Sequence, residues 1–253
     1  MARFWLIAAL LWTGMAMAEE RAVVGLSQHN VSLTTSFAGS ELFVYGAVQR
    51  FSEAPSGQLD VIVAVTGPSK PVTVHRKERK LGIWINGPPV VVDEAPSFYA
   101  VATTRDYRGT VSWTDDLRYR IGLDYVVRLI DAPSWVDHRE DFREAVVRLK
   151  TAEGLYSVRP GTVTIVDDVL FETRIRLPAN LVEGDYSARI FLLRDQQVLD
   201  VFEDTIAVRR AGLGRLIYTS AQEHGAIYGL LSILVALFAG WLASAFFRTF
   251  FPI

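Results

Sequence analysis

The end of this 253-residue chain constrains its architecture more than any other segment does. The 23 residues from 225 to 247 include no charged side chain. As a helix, this segment would extend about 35 Å at about 1.5 Å per residue, which is enough to cross a bilayer with some tilt. The sequence therefore predicts a transmembrane helix at 225–247.

The start of the chain predicts export. Residues 1–18 carry one early cation at Arg3, then an apolar run, and then small residues at Ala16 and Ala18. This order is typical of a secretory signal peptide that is cleaved after Ala18. Export followed by a C-terminal span predicts a single-pass topology. The expected parts are an extracytoplasmic domain at 19–208, a linker and juxtamembrane segment at 209–224, and a cytoplasmic tail at 248–253.

Composition and motifs exclude several kinds of chemistry. The chain has no cysteine, and its three methionines all precede residue 18, so the mature chain offers no disulfide, thiolate metal site or methionine-rich copper site. Lys and Arg number 26 against 28 Asp and Glu, and this balance does not favour nucleic acid as a partner. The four histidines lie far apart, and no nucleophile elbow or phosphate loop is present. We therefore predict no catalytic residue, no metal and no cofactor.

Short β-rich runs separated by turn residues fill 30–104 and return after Gly154. In "LFETRIRLP", Phe171, Thr173, Ile175 and Leu177 alternate with charged residues, as a half-solvated strand requires. The stretch "LPANLVEGDYSARIFLLRDQQVLD" resembles the closing strands of immunoglobulin-like modules. The longer stretch "EGDYSARIFLLRDQQVLDVFEDTIAVRR" predicts a hairpin that turns at 195–197. Its apolar positions shift from Leu199 and Val201 to Phe202, Ile206 and Val208, and this shift predicts a bulge near Glu203. The expected fold is mainly β, an immunoglobulin-like antiparallel β-sandwich.

A helical insert is predicted between the β-rich halves, at about 105–153. Ser134 as N-cap, Asp137 as the capping-box acid and Gly154 past the end delimit one helix. Its apolar stripe is formed by Phe142, Val146 and Leu149. A second helix capped by Thr114 is expected before it, although Gly122 and the β-prone "YVVRLI" oppose its continuation.

Two strands, "ELFVYGAV" and "LDVIVAVTG", are apolar on both faces. A sheet with one wet face would alternate instead. We expect the helical insert to cover the outer face of these strands, because exposed apolar patches are rare on soluble domains. The alternative is that another protein covers it.

A basic run lies within the first β-rich half. It consists of His75, Arg76, Lys77, Arg79 and Lys80, interrupted by Glu78. Such a run can gather an oxyanion or anionic lipid headgroups. Cations on an edge strand also prevent aggregation between sheets without binding any ligand. We carry these residues forward as a candidate anion-binding site.

Small side chains form a stripe along the predicted transmembrane helix. They recur at three- and four-residue steps, at Gly225, Gly229, Ser232, Ala236, Gly240 and Ser244. Residues at these spacings share one helical face, where a second helix can approach closely. The stripe predicts a partner helix within the lipid bilayer, from another copy of the chain or from a different membrane protein.

The chain as a whole combines a signal peptide, a β-rich exported region with "FYAVATT" and "EAVVRLKTAEGLYSV", a closing hairpin and a terminal span. This layout resembles an alphaproteobacterial family of putative transmembrane proteins. That resemblance implies a periplasmic domain on a bacterial inner-membrane anchor. It also implies a sulfite-exporter-type permease as a partner, and it gives no catalytic residues to transfer. We expect an accessory or scaffolding subunit of a membrane transporter or complex. The alternatives are a periplasmic anion sensor or delivery protein and, last, an unrecognised hydrolase.

Overall fold

A computed structural model of the chain describes residues 20–34, 37–50, 55–131, 136, 138–211 and 225–250. Within the last range, the side chains of residue 227 and residues 245–250 are not part of the description. The predicted signal peptide, most of the predicted linker and the end of the predicted tail lie outside the described residues. The chain divides into two compact units, Met1–Val31 with Ala38–Val208 and Ser32–Phe37 with Arg209–Ile253. Each unit is described by itself.

The described chain is mainly β. Its strands are β1 Glu20–Leu26, β2 Asn30–Leu33, β3 Ser40–Arg50, β4 Leu59–Thr66, β5 Ser69–Lys80, β6 Ile83–Pro96, β7 Tyr99–Thr103, β8 Tyr156–Arg159, β9 Thr164–Val166, β10 Leu170–Leu177, β11 Gly184–Arg194 and β12 Gln197–Arg210. Its helices are α1 Tyr107–Thr110, α2 Trp113–Tyr119, α3 Leu123–Val126, α4 Arg139–Ala152 and α5 Gly225–Phe250.

The strands form three sheets. A four-stranded sheet has the order β1-β3-β10-β9, a six-stranded sheet has the order β2-β12-β11-β4-β7-β8, and β5 pairs with β6 in a separate hairpin. Pairing is antiparallel along β1, β3, β10 and β9 and along β12, β11, β4 and β7. Strand β8 joins β7 in parallel after the helical insert. The predicted antiparallel, mainly β architecture is therefore confirmed.

Side-chain alternation determines which face of each strand is buried. In β10, Phe171, Thr173, Ile175 and Leu177 are buried and the residues between them are exposed, as the sequence predicted. The two larger sheets meet at one edge through polar contacts. The Arg194 guanidinium of β11 donates to Glu20 of β1 at 2.8 Å, and the Ala22 N–H donates to Asp200 of β12 at 2.8 Å.

The helical insert covers the outer face of the six-stranded sheet. Strand β4 is buried on both faces from Leu59 to Val65. The Tyr119 ring meets Phe191 of β11 edge-on, with centroids 5.7 Å apart, and Arg189 donates to the Tyr119 carbonyl at 2.8 Å. For β4, the interpretation that the insert covers the apolar outer face is therefore correct.

Three local predictions were wrong in position. Helix α4 begins at Arg139 and not after Ser134. The residue before it, His138, takes a left-handed conformation with φ +57°, so the helical geometry does not extend further towards the N-terminus. Ser134 and Asp137 themselves lie outside the described residues. Helix α2 is capped by Ser112, whose hydroxyl accepts from the Asp115 N–H at 3.2 Å, and not by Thr114.

The predicted bulge near Glu203 lies nearer the turn. The register places Leu192 opposite Asp200 and Leu193 opposite Val198, so Leu199 is the extra residue. The Val198 N–H donates to the Asp115 carboxylate of the insert at 3.0 Å, which ties this segment to α2. The hairpin turn itself is at Asp195 and Gln196, as predicted.

Helix α5 contains 26 residues, from Gly225 to Phe250. Within the limits of the description given above, no helix combines the length and the apolar character that a membrane span requires.

Candidate binding surfaces

The outer face of the four-stranded sheet carries a continuous apolar row. Cross-strand pairing places Val23 opposite Ala47, Ala47 opposite Leu170, and Leu170 opposite Val166. Directly opposed side chains on one face of a sheet lie close enough to touch, so the four residues form one strip across all four strands. We call Val23, Ala47, Leu170 and Val166 the apolar ladder. Its three larger members are exposed, and Leu170 retains 55% of its accessible surface.

Aromatic rings extend the apolar ladder along β3. Phe43 and Tyr45 are stacked with centroids 5.6 Å apart, and the Arg174 guanidinium lies over the Phe43 ring at 5.4 Å. A Cβ at Gly25 would lie 2.8 Å from the Tyr45 ring in its present position. The ring remains 47% exposed beside a shallow depression of about 590 Å³. Rings and ladder together form one apolar surface, which Arg174 and Glu172 of β10 border with charges of both signs.

The structure thus separates two strands that the sequence treated alike. Strand β4 is buried on both faces, with the insert on its outer face, whereas the outer face of β3 has exposed Tyr45 and partly exposed Phe43. Contiguous exposed apolar surface on a folded domain marks a site of interaction. Strand alternation alone could have identified Phe43, Tyr45 and Ala47 as one face, but the sequence does not show which apolar face the insert covers.

The basic run lies on β5, and the structure divides it. His75, Arg76 and Lys77 line a cleft of about 550 Å³ against Asp141, Glu144 and Arg148 of α4. The His75 Nδ1 lies 3.0 Å from the Gly87 carbonyl oxygen. Arg79 and Lys80 do not line this cleft and lie at the end of the β5–β6 hairpin. The cleft thus combines three cations, Arg76, Lys77 and Arg148, with two carboxylates.

The small-residue stripe lies on α5. A Cβ built at Gly225, Gly229 or Gly240 would meet no atom within 4 Å. The Ser232 hydroxyl donates to the Tyr228 carbonyl at 2.8 Å, one turn earlier in the same helix. The stripe therefore has open space at its glycines.

Buried tyrosines have raised pKa values for structural reasons. Burial is the main cause that raises the pKa of Tyr99 to about 12. The Tyr99 hydroxyl donates to the Ile121 carbonyl at 2.6 Å, and the Tyr156 hydroxyl donates to the Pro96 carbonyl at 2.8 Å. The first bond fastens the insert to β7, and the second fastens β8 to the end of β6. Among the described residues, no group of three or more His, Asp or Glu side chains has metal-binding geometry.

A buried ion cluster that sequence reasoning missed joins β1, β3 and β11. The Glu20 carboxylate accepts from Arg50 at 2.6 Å and from Arg194 at 2.8 and 2.9 Å, and Glu20 is only 4% exposed. Burial alone would raise the pKa of Glu20, but hydrogen bonds from Arg194 and Arg50 outweigh it and lower the pKa below its ordinary value. Glu20 and Arg194 are 174 residues apart in the sequence, so no local sequence pattern indicates the cluster.

The chain was compared with known protein families. A family model described as "Putative transmembrane protein (Alph_Pro_TM)" matches residues 21–249. No curated protein matches the chain. The family match covers the β strands, the helical insert and nearly all of α5, so it concerns the chain as a whole.

Proposed function

The chain belongs to this family of putative transmembrane proteins, and from that premise we propose that it is a membrane-anchored binding or scaffolding subunit without catalytic activity. Its β domain would lie in the periplasm of a bacterium with an inner membrane. Its partner would be a membrane protein, such as the sulfite-exporter-type permease that the family resemblance implies.

The observation that carries this proposal is the exposed apolar surface of the four-stranded sheet. Val23, Leu170 and Val166 of the apolar ladder are exposed beside Tyr45. Apolar and aromatic side chains at the centre of a surface, with charged side chains such as Arg174 and Glu172 beside them, are typical of a protein-binding surface. Burying this surface against an extracytoplasmic segment of the partner would remove it from water.

The finer fold assignment belongs to this proposal. Two features support an immunoglobulin-like sandwich, the first being that the strand orders β1-β3-β10-β9 and β12-β11-β4-β7 follow the order of that fold. The second is that the Tyr186 hydroxyl at the start of β11 donates to the Val182 carbonyl at 2.8 Å, as in a tyrosine corner. Sandwiches of this kind present rigid faces and loops for recognition.

We propose α5 as the single membrane anchor. The support is the family description and the sequence, in which residues 225–247 carry no charge. The proposed span includes residue 227 and residues 245–247, whose side chains lie outside the described part of α5. The small-residue stripe at Gly225, Gly229, Ser232, Ala236, Gly240 and Ser244 would then hold the partner's helix, or a second copy, by close backbone approach.

The two contact surfaces are tested by separate variants of the full-length protein. Leu170→Arg places a charge in the apolar ladder, and we expect it to abolish capture of the membrane partner. Leu199→Arg is the matched control, because Leu199 is also an exposed leucine on a strand but lies on β12. Equal capture by both variants would contradict the role of the ladder.

For α5, Gly229→Leu and Gly240→Leu are expected to weaken the association and leave membrane insertion intact. The measurement is co-purification in mild detergent after a check of the membrane fraction. Unchanged co-purification would remove the role of the stripe.

The second candidate, a periplasmic anion sensor or delivery protein, would use the cleft at His75, Arg76 and Lys77. Arg148 adds a third cation to this cleft, whereas Asp141 and Glu144 line it as well and reduce its positive charge. This candidate is tested by measuring the thermal unfolding temperature with sulfite, sulfate, sulfonates and phosphate. An anion-binding protein would unfold at a higher temperature with its ligand, and this increase would be lost when Arg76, Lys77 and Arg79 are neutralised. A hydrolase remains last, since no described feature supports it.

A further inference from the structure

The tip of the β5–β6 hairpin has an unusual turn. Leu81 and Gly82 connect the strands with φ values of +51° and +84°, the pattern of a tight two-residue turn that normally takes Asn, Asp or Gly at both positions. Leu81 adopts the left-handed conformation at a free-energy cost, and its side chain is fully exposed. A strained, solvent-exposed leucine contributes nothing to the domain's own core, so its identity calls for an external contact.

Apolar side chains continue past the turn. Ile83 and Trp84 are 64% and 67% exposed. They are neighbours in β6, and successive strand residues point to opposite faces. The apolar surface therefore wraps around the end of the hairpin and does not form one flat face. A flat protein surface would cover one side of such a tip, whereas a fluid lipid interface surrounds all of it.

Cations lie immediately behind this tip. Arg79 pairs with Trp84 and Lys80 pairs with Ile83 in the hairpin register, and Lys77 pairs with Asn86 two residues further back. From Arg76 to Lys80 the strand carries four cations and one acid, Glu78, which is 3.4 Å from the Lys80 ammonium. An apolar tip with tryptophan and a collar of Lys and Arg matches the interface of an anionic membrane, where rings lie at headgroup level and cations reach the phosphates.

The base of the hairpin is fixed to the domain. Val90 of β6 packs with Val136 and Phe142, and Val74 of β5 packs against this cluster. The hairpin is therefore a supported arm with a buried root and a free end. The basic run is divided accordingly, with His75 at the α4 cleft and Arg79 and Lys80 at the tip.

We propose that residues 81–84 insert into the headgroup layer of a bilayer rich in anionic phospholipid, with Arg79 and Lys80 against the phosphates. This docking site goes beyond the proposed partner binding and uses neither the apolar ladder nor the stripe on α5. A second attachment of the domain to the membrane would restrict its orientation and raise its effective concentration at the bilayer.

The experiment uses the absence of cysteine from the chain. Ile83→Cys in the full-length protein is labelled with the environment-sensitive dye NBD and placed in nanodiscs of phosphatidylglycerol or of phosphatidylcholine. Gln196→Cys is the control, since Gln196 is likewise exposed and lies at the tip of another two-residue hairpin, whereas Ile83 directly follows the turn at Leu81 and Gly82. A third label at Leu237→Cys on α5 reports on the anchor independently.

We expect the label at position 83 to shift to shorter emission wavelength and to be quenched by doxyl lipids in phosphatidylglycerol discs, while the label at 196 stays in water. Neutralising Arg79 and Lys80 to Gln should weaken docking about 25-fold, because each cation near an anionic surface contributes about fivefold. Leu81→Asn should weaken docking while leaving the thermal unfolding temperature unchanged or higher, since Asn tolerates the left-handed turn.

The proposal is overturned if labels at 83 and 196 behave alike in anionic discs, or if the label at 83 shifts only when a protein partner is added. A label at 237 that fails to enter the disc would instead refute α5 as the anchor. The two failures are therefore distinguishable.

Discussion

The buried Glu20 cluster gives the sharpest prediction about the stability of the fold. Glu20→Gln removes the negative charge that neutralises two guanidinium groups, of which Arg194 is 9% and Arg50 is 15% exposed. Removing one member of a buried ion pair typically costs about 3–5 kcal/mol, and we expect about 3 kcal/mol because Gln still accepts a hydrogen bond. For a chain of this size, that loss lowers the unfolding temperature by about 6–12 °C.

The pH dependence of this effect has a definite sign. The pKa of Glu20 is lower in the folded protein than its ordinary value of 4.5. The stabilisation is therefore fully present above pH 4.5 and is lost as the pH falls through the lower folded value. The difference in unfolding temperature between wild type and Glu20→Gln should be constant from pH 6 to 8 and should shrink below about pH 4.5.

Thermal unfolding followed by circular dichroism across that pH range is the assay. Glu41→Gln is the control, because Glu41 is an exposed carboxylate on β3, and its effect should stay within about 0.5 kcal/mol. A Glu20→Gln protein as stable as wild type at pH 7, or a difference that does not change with pH, would refute the assignment of the cluster.

Two further predictions concern the packing of the β strands. Gly46→Ala should lower the free energy of unfolding by about 1–3 kcal/mol, because the new Cβ would overlap the Phe171 ring and lie 2.7 Å from the Val23 carbonyl oxygen. Urea unfolding measures this change. An unchanged free energy of unfolding would show that the surrounding residues can accommodate the methyl group. Tyr186→Phe should lower the free energy of unfolding by about 1 kcal/mol, because it removes the hydrogen bond from the hydroxyl to the Val182 carbonyl. The midpoint of chemical denaturation measures this loss, and an unchanged midpoint would show that this hydrogen bond does not stabilise the fold.

Local patterns predicted those elements whose structure depends on neighbours in sequence. Strict alternation in β10 placed Phe171 and Ile175 inside, and the closing hairpin turned at Asp195 and Gln196. Both follow from two-residue periodicity and from turn chemistry. The end of α4 before Gly154 was also predicted correctly, since Gly154 takes φ +72°.

Long-range contacts decided what the sequence could not show. Strand β8 pairs with β7 although the helical insert separates them in the sequence, and Arg194 donates hydrogen bonds to Glu20, which is 174 residues away in the sequence. Neither pairing leaves a periodic signal. The same holds for the candidate surfaces, because β3 and β4 are equally apolar and only tertiary packing covers one of them.

The hairpin tip shows a different limit of sequence reasoning. "LGIWINGPP" has the composition of a buried strand, and the structure instead exposes Leu81, Ile83 and Trp84. The signal that sequence reasoning missed is the turn residue. Leucine at the first position of a two-residue turn is unfavourable for folding alone, and its position directly after a basic run would have marked the tip.

The apolar ladder and the stripe on α5 can be tested together as contact surfaces for a membrane protein. Four versions of the chain are purified in mild detergent from whole-cell extracts, and bound proteins are identified and quantified by mass spectrometry. The versions are the full-length protein, a version lacking residues 222–253, Leu170→Arg and Leu199→Arg. We predict one membrane protein in stoichiometric amount with the full-length and Leu199→Arg proteins, and its loss from the other two. Purification of all four versions alone and monomeric would show that neither surface binds a membrane protein.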